Sequence, residues 1–287
     1  MPTLRDLRRR IKSVQGTQQI TKAMEMVSAA KLRKAQTRLE SSRPYASKMQ
    51  SMLDNLTQRT VSLSHRLFEK KEVKKTCVVV VTADRGLCGS YNHNVIHQAD
   101  KFLKKYDKDK IALITIGKKG YTYYSKRPWE IKLKYPDLGG NLIWTQVKSV
   151  TNELVNLFLS GEVDEIYFIF TKFLSTVSYK VTTEKFLNIE SQVKAESREI
   201  YVDYIFEPDP QSIFGNLLPT YCMTRVQMAL AESFTAEHGS RMISMGAATK
   251  NAEEMIEHLT LVMNKLRQAT ITKEMLEITT GAEALKG

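Results

Sequence analysis

Apolar side chains recur at alternating spacings of three and four near the start of the chain. Leu4, Leu7, Ile11 and Val14 begin a register that passes through Gln18, Thr21, Glu25 and Ser28 and recovers at Leu32, Ala35 and Leu39. Near the other end, Ala252, Ile256, Leu259, Met263 and Leu266 repeat the alternation. Such spacing predicts two long helices with coiled-coil seams. Proline placement agrees, because none of the seven prolines lies in 3–43 or 220–287. A proline inside a helix costs about 3 kcal/mol, so these stretches are free to run uninterrupted, and at 1.5 Å per residue the second would reach roughly 100 Å. Helices that long can meet each other only by packing antiparallel.

The pattern between them is different. Thr76–Thr82, Ile111–Ile116 and Glu165–Thr171 are short β-branched or aromatic runs that read as buried strands, with further edge strands expected in Thr176–Asn188 and Glu199–Phe206. Helical stretches, about Gly89–Tyr106, Lys118–Lys126 and Leu142–Ser160, separate them. Alternation of strand and helix predicts a mainly parallel sheet in a Rossmann-like α/β domain. The charge run Lys70–Lys75 and the proline cluster Glu207–Pro219 mark its limits. The expected fold class is therefore α/β: a long antiparallel coiled coil of N- and C-terminal helices with an inserted Rossmann-like domain. The corresponding ranges are 1–69 for the first shaft helix, 70–206 for the α/β domain, and 207–287 for the second shaft helix.

Composition narrows the class. A hydrophobic fraction of 42% and a charged fraction of 26% suit a folded globular chain. No apolar run approaches the roughly 20 residues that span a bilayer. The basic start fits a mitochondrial presequence in being Arg-rich and acid-poor, yet it runs without a break into the helical pattern. Cys77, Cys88 and Cys222 show no metal or redox spacing, which leads us to expect reduced thiols and a cytosolic setting. The net charge of +12 is uneven: residues 1–43 carry +8 and residues 220–287 carry −1. A basic helix of this kind is a solvated face, a nucleic-acid contact or a site for an acidic protein.

Candidate chemistry is sparse. Ala83–Tyr91 follows a strand and precedes a helix, where α/β proteins hold phosphate, but it lacks GxGxxG and GxxxxGK[ST]; Gly117–Gly120 is a similar turn. Glycines there read as tight turns. His93 and His97 sit at i, i+4, but Asn94 stands where HExxH needs glutamate. Cys88, beside Asp84 and Arg85, reads as a packing residue more readily than as an activated thiol. We therefore expect no catalytic, cofactor-binding or metal-binding residues. Two other classes stay open on these grounds: a nucleotide-binding α/β enzyme with helical extensions, and a basic coiled-coil protein that binds nucleic acid. ATP or NAD bound by the isolated chain would mark the first, and salt-sensitive affinity for duplexes the second.

Three segments carry a family likeness. Ile20–Gln36 (ITKAMEMVSAAKLRKAQ), Thr82–Asn92 (TADRGLCGSYN) and Ala247–Leu285, which contains AATKNAEEMIEHLT and NKLRQATITKEMLEITTGAEAL, resemble the signature segments of the F-type ATP synthase gamma subunit, in that family's order. The resemblance implies a non-catalytic rotor shaft. Its terminal helices would turn inside the hexamer of alpha and beta subunits. Its α/β domain would stand as a foot against the epsilon subunit and the membrane c-subunit ring. Ion flow would then couple to ATP synthesis or hydrolysis on beta, with the chain peripheral on the cytoplasmic side of a bacterial plasma membrane.

By the same likeness Lys22, Met24, Arg267 and Gln268 would contact beta, and Ile278, Thr279, Thr280, Gly281 and Ala282 would form an apolar bearing tip. The cysteine-bearing insertion of the plastid form is not matched, so thiol regulation is not expected. Gly239 and Gly246 interrupt the second helix where a smooth coil would prefer alanine.

Overall fold

The computed structural model describes residues 3–59, 67, 72–138, 140, 142–188 and 210–284. Its internal contacts separate two compact units, one of residues up to Ser28 together with those from Met242, the other Ala29–Arg241. Two helices pass through both: α1, Leu4–Arg59, and α5, Pro210–Ala284.

In the Ala29–Arg241 unit a five-stranded sheet has the order β3-β2-β1-β4-β5. β1 is Thr76–Val81, β2 Ile111–Ile116, β3 Glu130–Tyr135, β4 Glu165–Phe173 and β5 Tyr179–Leu187. The first four run parallel, and β5 returns antiparallel to β4. Helices α2 (Tyr91–Leu103), α3 (Lys118–Tyr124) and α4 (Trp144–Leu159) make the crossovers.

The unbroken valines of β1 follow from burial on both faces. Cys77, Val79 and Val81 pack with α4, α1 and α5, through Leu154, Leu53, Phe214 and Leu230. Val78 and Val80 pack with α2, through Val95, Ala99 and Leu103. Fully burying such a side chain contributes about 1.5–3 kcal/mol. Within this unit α1 and α5 run antiparallel: Arg43 pairs with Glu232 at 3.5 Å, and the Tyr221 hydroxyl donates to Gln50 Oε1 at 2.7 Å.

The other unit is a second antiparallel stretch of the same two helices. Thr249 Oγ1 donates to Thr21 Oγ1 at 2.9 Å, and Gly246 lies against the Glu25 side chain. All the predicted seam positions are buried or half-buried, from Leu4 to Leu39 on α1 and from Ala252 to Leu266 on α5. The polar middle of the seam is itself packed, and Ser28 disposes of its hydroxyl by donating to the Met24 carbonyl at 2.7 Å.

Three features depart from the sequence expectations. Both helices run through prolines, Pro44 in α1 and Pro219 in α5, and α5 starts at Pro210. Pro44 and Pro219 sit on exposed faces, where water can take the carbonyl bond that each proline leaves unmade. Pro210 is the first helical residue, where its fixed φ helps. Strand β3 was not expected: Glu130, Lys132 and Lys134 alternate with apolar residues at the sheet edge, between Pro128 and Pro136. Finally, α5 is unbroken at Gly239 and Gly246. The expected strand Glu199–Phe206 lies outside the described residues.

Candidate functional site

From Ala229 to Arg241 thirteen consecutive residues of α5 are buried. An ordinary surface helix buries one stripe; one buried on every side is enclosed. The sequence here, ALAESFTAEHGSR, is rich in polar groups, and the surrounding elements answer most of them.

Tyr91, at the start of α2, places its hydroxyl 2.8 Å from Ser233 Oγ. Ser240 Oγ donates to the Cys88 carbonyl at 2.6 Å, and the Tyr179 hydroxyl lies 3.2 Å from Ser240 Oγ. Arg241 donates to the Gly86 and Arg85 carbonyls at 3.2 and 3.3 Å and holds Glu237 at 2.8 Å. His238 Nε2 donates to the Gly140 carbonyl at 3.1 Å. Arg43 joins the Phe173 carbonyl to Glu232.

Burial governs the charges in this collar. It raises the carboxyls of Glu237 and Glu232, with Arg241 opposing at Glu237 and Lys172 and Arg43 opposing at Glu232. It lowers His238 to about 4, against the Gly140 carbonyl, so that imidazole is neutral at pH 7. It also raises the Cys88 thiol, which accepts from Asn92 Nδ2 at 3.1 Å. Such a thiol is a poor nucleophile.

The loop between β1 and α2 is where an α/β fold would cradle phosphate. Here its carbonyls face α5. The Thr82 hydroxyl donates to the Ile116 carbonyl and accepts from the Gly120 amide at 2.8 Å. Asp84 Oδ1 accepts from the Lys118 and Asp137 amides, both at 3.0 Å. Gly117, with φ of 92°, passes so close to Thr82 that a Cβ would stand 2.1 Å from the Thr82 oxygen. The glycine of this turn serves close packing. His93 and His97 are exposed and stacked at 6.0 Å, and no cluster that could hold a metal occurs among the described residues.

The residues expected to meet a partner fall in the other unit. Lys22 is exposed and pairs with Glu25 at 3.2 Å; Met24 is half-buried. Arg267 and Gln268 are exposed, whereas Leu266 before them is half-buried in the seam. From Arg267 to Ala284 only Thr270 is even half-buried, because the pairing of Thr21 with Thr249 leaves no described residue of α1 beside this stretch.

Ile278, Thr279, Thr280, Gly281 and Ala282 are all exposed. Ile271, Met275, Ile278 and Ala282 share a face, and the Thr270, Thr272 and Thr279 hydroxyls donate to carbonyls four residues back. The collar, by contrast, could not be read from the sequence.

The family model described as ATP synthase matches residues 3–285. The ATP synthase gamma chain of Protochlamydia amoebophila is 49% identical over 286 residues, covering 100% of both chains. This chain belongs to the ATP synthase gamma-chain family. The gamma chain of Desulforamulus reducens is 42% identical over the same coverage.

A chain from the Tetrahymena thermophila mitochondrial ATP synthase central stalk and c-ring superposes with a TM-score of 0.61 at 25% identity, covering 80% of this chain and 99% of that one. A chain of the Euglena gracilis mitochondrial ATP synthase reaches 0.68 at 17% identity, covering 98% and 94%, a likeness of fold. The family is a non-catalytic subunit of a membrane-associated complex. Among the described residues no helix is long and apolar enough to cross a membrane.

Proposed function

We propose that this chain is the central rotor shaft of an F-type ATP synthase, coupling ion flow through a membrane c-subunit ring to ATP synthesis or hydrolysis on beta subunits. The observation that carries this reading is full-length kinship with gamma chains, at 49% identity. The bare end of α5 and the paired helices suit insertion into a hexamer of alpha and beta subunits. The α/β domain supplies a foot for the epsilon subunit and the ring. On this reading 1–69 and 207–287 act as shaft and 70–206 as foot, at the cytoplasmic face of a bacterial plasma membrane.

Contacts with beta fall to Lys22, Met24, Arg267 and Gln268, and the apolar tip Ile278–Ala282 turns in a sleeve. A hydrogen bond to a charged donor is worth about 1.5–3 kcal/mol. Arg267→Ala or Gln268→Ala should therefore lower turnover by roughly tenfold or more while the complex still assembles, because neither side chain packs in the seam. ATP hydrolysis and ATP-driven ion pumping, measured together in reconstituted vesicles, test this. Wild-type values of both would remove these residues from the contact.

A further inference from the structure

We infer that the enclosed stretch Ala229–Arg241 is the joint through which torque passes between sheet and shaft, with Ser240 and Arg241 as positioning residues that key α5 against turning about its own axis. The inference rests on the rotor reading above. A helix held only by apolar side chains can slide from one groove to the next, since dispersion contacts have little direction. Hydrogen bonds do have direction.

At 3.6 residues per turn, Ser233 and Ser240 lie on one face. Arg241 lies roughly 80° round from Ser233, His238 roughly 140° round, and Glu232 roughly 100° the other way. Each of these directions meets a different anchor. Tyr91 and the Cys88 carbonyl lie on the first, the Arg85 and Gly86 carbonyls face Arg241, Gly140 faces His238, and Arg43 faces Glu232. Five of these six anchors sit on loops or at the first turn of a helix, where the chain leaves the sheet; only Arg43 lies within a helix. Any rotation of α5 relative to the sheet must break bonds on several faces together.

Ser240 and Arg241 are the last residues of the enclosed stretch. They are also the two whose donors reach backbone oxygens of the β1–α2 loop, which is pinned in turn by Thr82, Asp84 and Asn92. A backbone anchor cannot swing aside as a side chain can.

The test is the torsional stiffness of the assembled complex, read as the angular variance of a probe on the foot while the hexamer is fixed to a surface. Ser240→Ala removes one hydroxyl from a helix that accepts alanine readily, and Arg241→Lys keeps the charge beside Glu237 but loses the fork. The double variant should assemble and hydrolyse ATP without load as the wild type does, while its angular variance rises about twofold, as expected for losing charge-assisted bonds. Ser240→Ala alone should give a smaller rise in the same direction, and it decides the matter if the double variant does not assemble. Wild-type variance in the assembled variants overturns the inference. A purely structural role would change recovery of the complex and leave its stiffness alone. Failure of the rotor reading looks different, because then even the wild-type chain shows no rotation.

Discussion

Gly117→Ala should destabilise the protein by about 3–5 kcal/mol, enough to leave much of it unfolded. Two effects combine. The φ of 92° is a region that side-chain-bearing residues rarely adopt, and the new methyl would stand 2.1 Å from the Thr82 carbonyl oxygen. That oxygen cannot retreat, because the Thr82 amide donates to the Ile116 carbonyl at 2.8 Å and its hydroxyl holds the Gly120 amide. Gly161→Ala serves as the comparison: its φ is 79° but open space surrounds it, so only the backbone term applies, about 1–2 kcal/mol. Urea denaturation of the two variants separates the terms. Equal losses at the two sites would show that the close approach at Thr82 contributes nothing.

Arg241→Ala should be nearly as damaging at neutral pH, by about 3–5 kcal/mol, because it strands Glu237 in the collar. The wild-type carboxyl is already raised by burial, and Arg241 is the first influence that opposes this. Without the guanidinium the carboxyl rises further. A raised carboxyl binds more protons in the folded than in the unfolded state, so stability falls as pH climbs from the unfolded pKa through the folded one. The deficit of the variant should be smallest near pH 5 and grow towards pH 8. Denaturation at the two pH values checks the sign. A deficit independent of pH would mean that lost packing and not stranded charge is responsible. This is also why Arg241→Lys is the proper probe of stiffness.

Much of this architecture was legible because burial there follows a period. The seam from Leu4 to Leu39 kept its alternation through Gln18, Thr21, Glu25 and Ser28, and those polar positions are indeed packed. The β-branched runs of β1 and β2 stood out because both sheet faces are covered. Strand β3 did not, since an edge strand half open to water needs no apolar run, and its lysines pair outward with Glu162 and, at Tyr121, with an aromatic face. The collar was hidden for the opposite reason. Ser233, Glu237, His238, Ser240 and Arg241 look like a solvated face, and their burial depends on partners such as Tyr91, Gly140 and the loop after β1 that lie about 100 to 150 positions away in the chain. No local pattern reports a carbonyl that remote.

The threonines near the end of α5 have a consequence for how such a surface meets water. A hydropathy scale scores Thr270, Thr272 and Thr279 as wet residues, because it assumes that each hydroxyl is offered to solvent. In the folded chain each spends its proton on a carbonyl of its own helix, at 2.9–3.0 Å, and has no hydroxyl proton left to offer to water. Neighbouring Ile271, Met275 and Ile278 then extend a surface closer to hydrocarbon than its letters imply. Hydration water on such a surface finds few fixed donors to order it, so the layer is easily displaced and easily restored. A rod end clothed in that way carries little angular memory in its solvent, whichever way it faces.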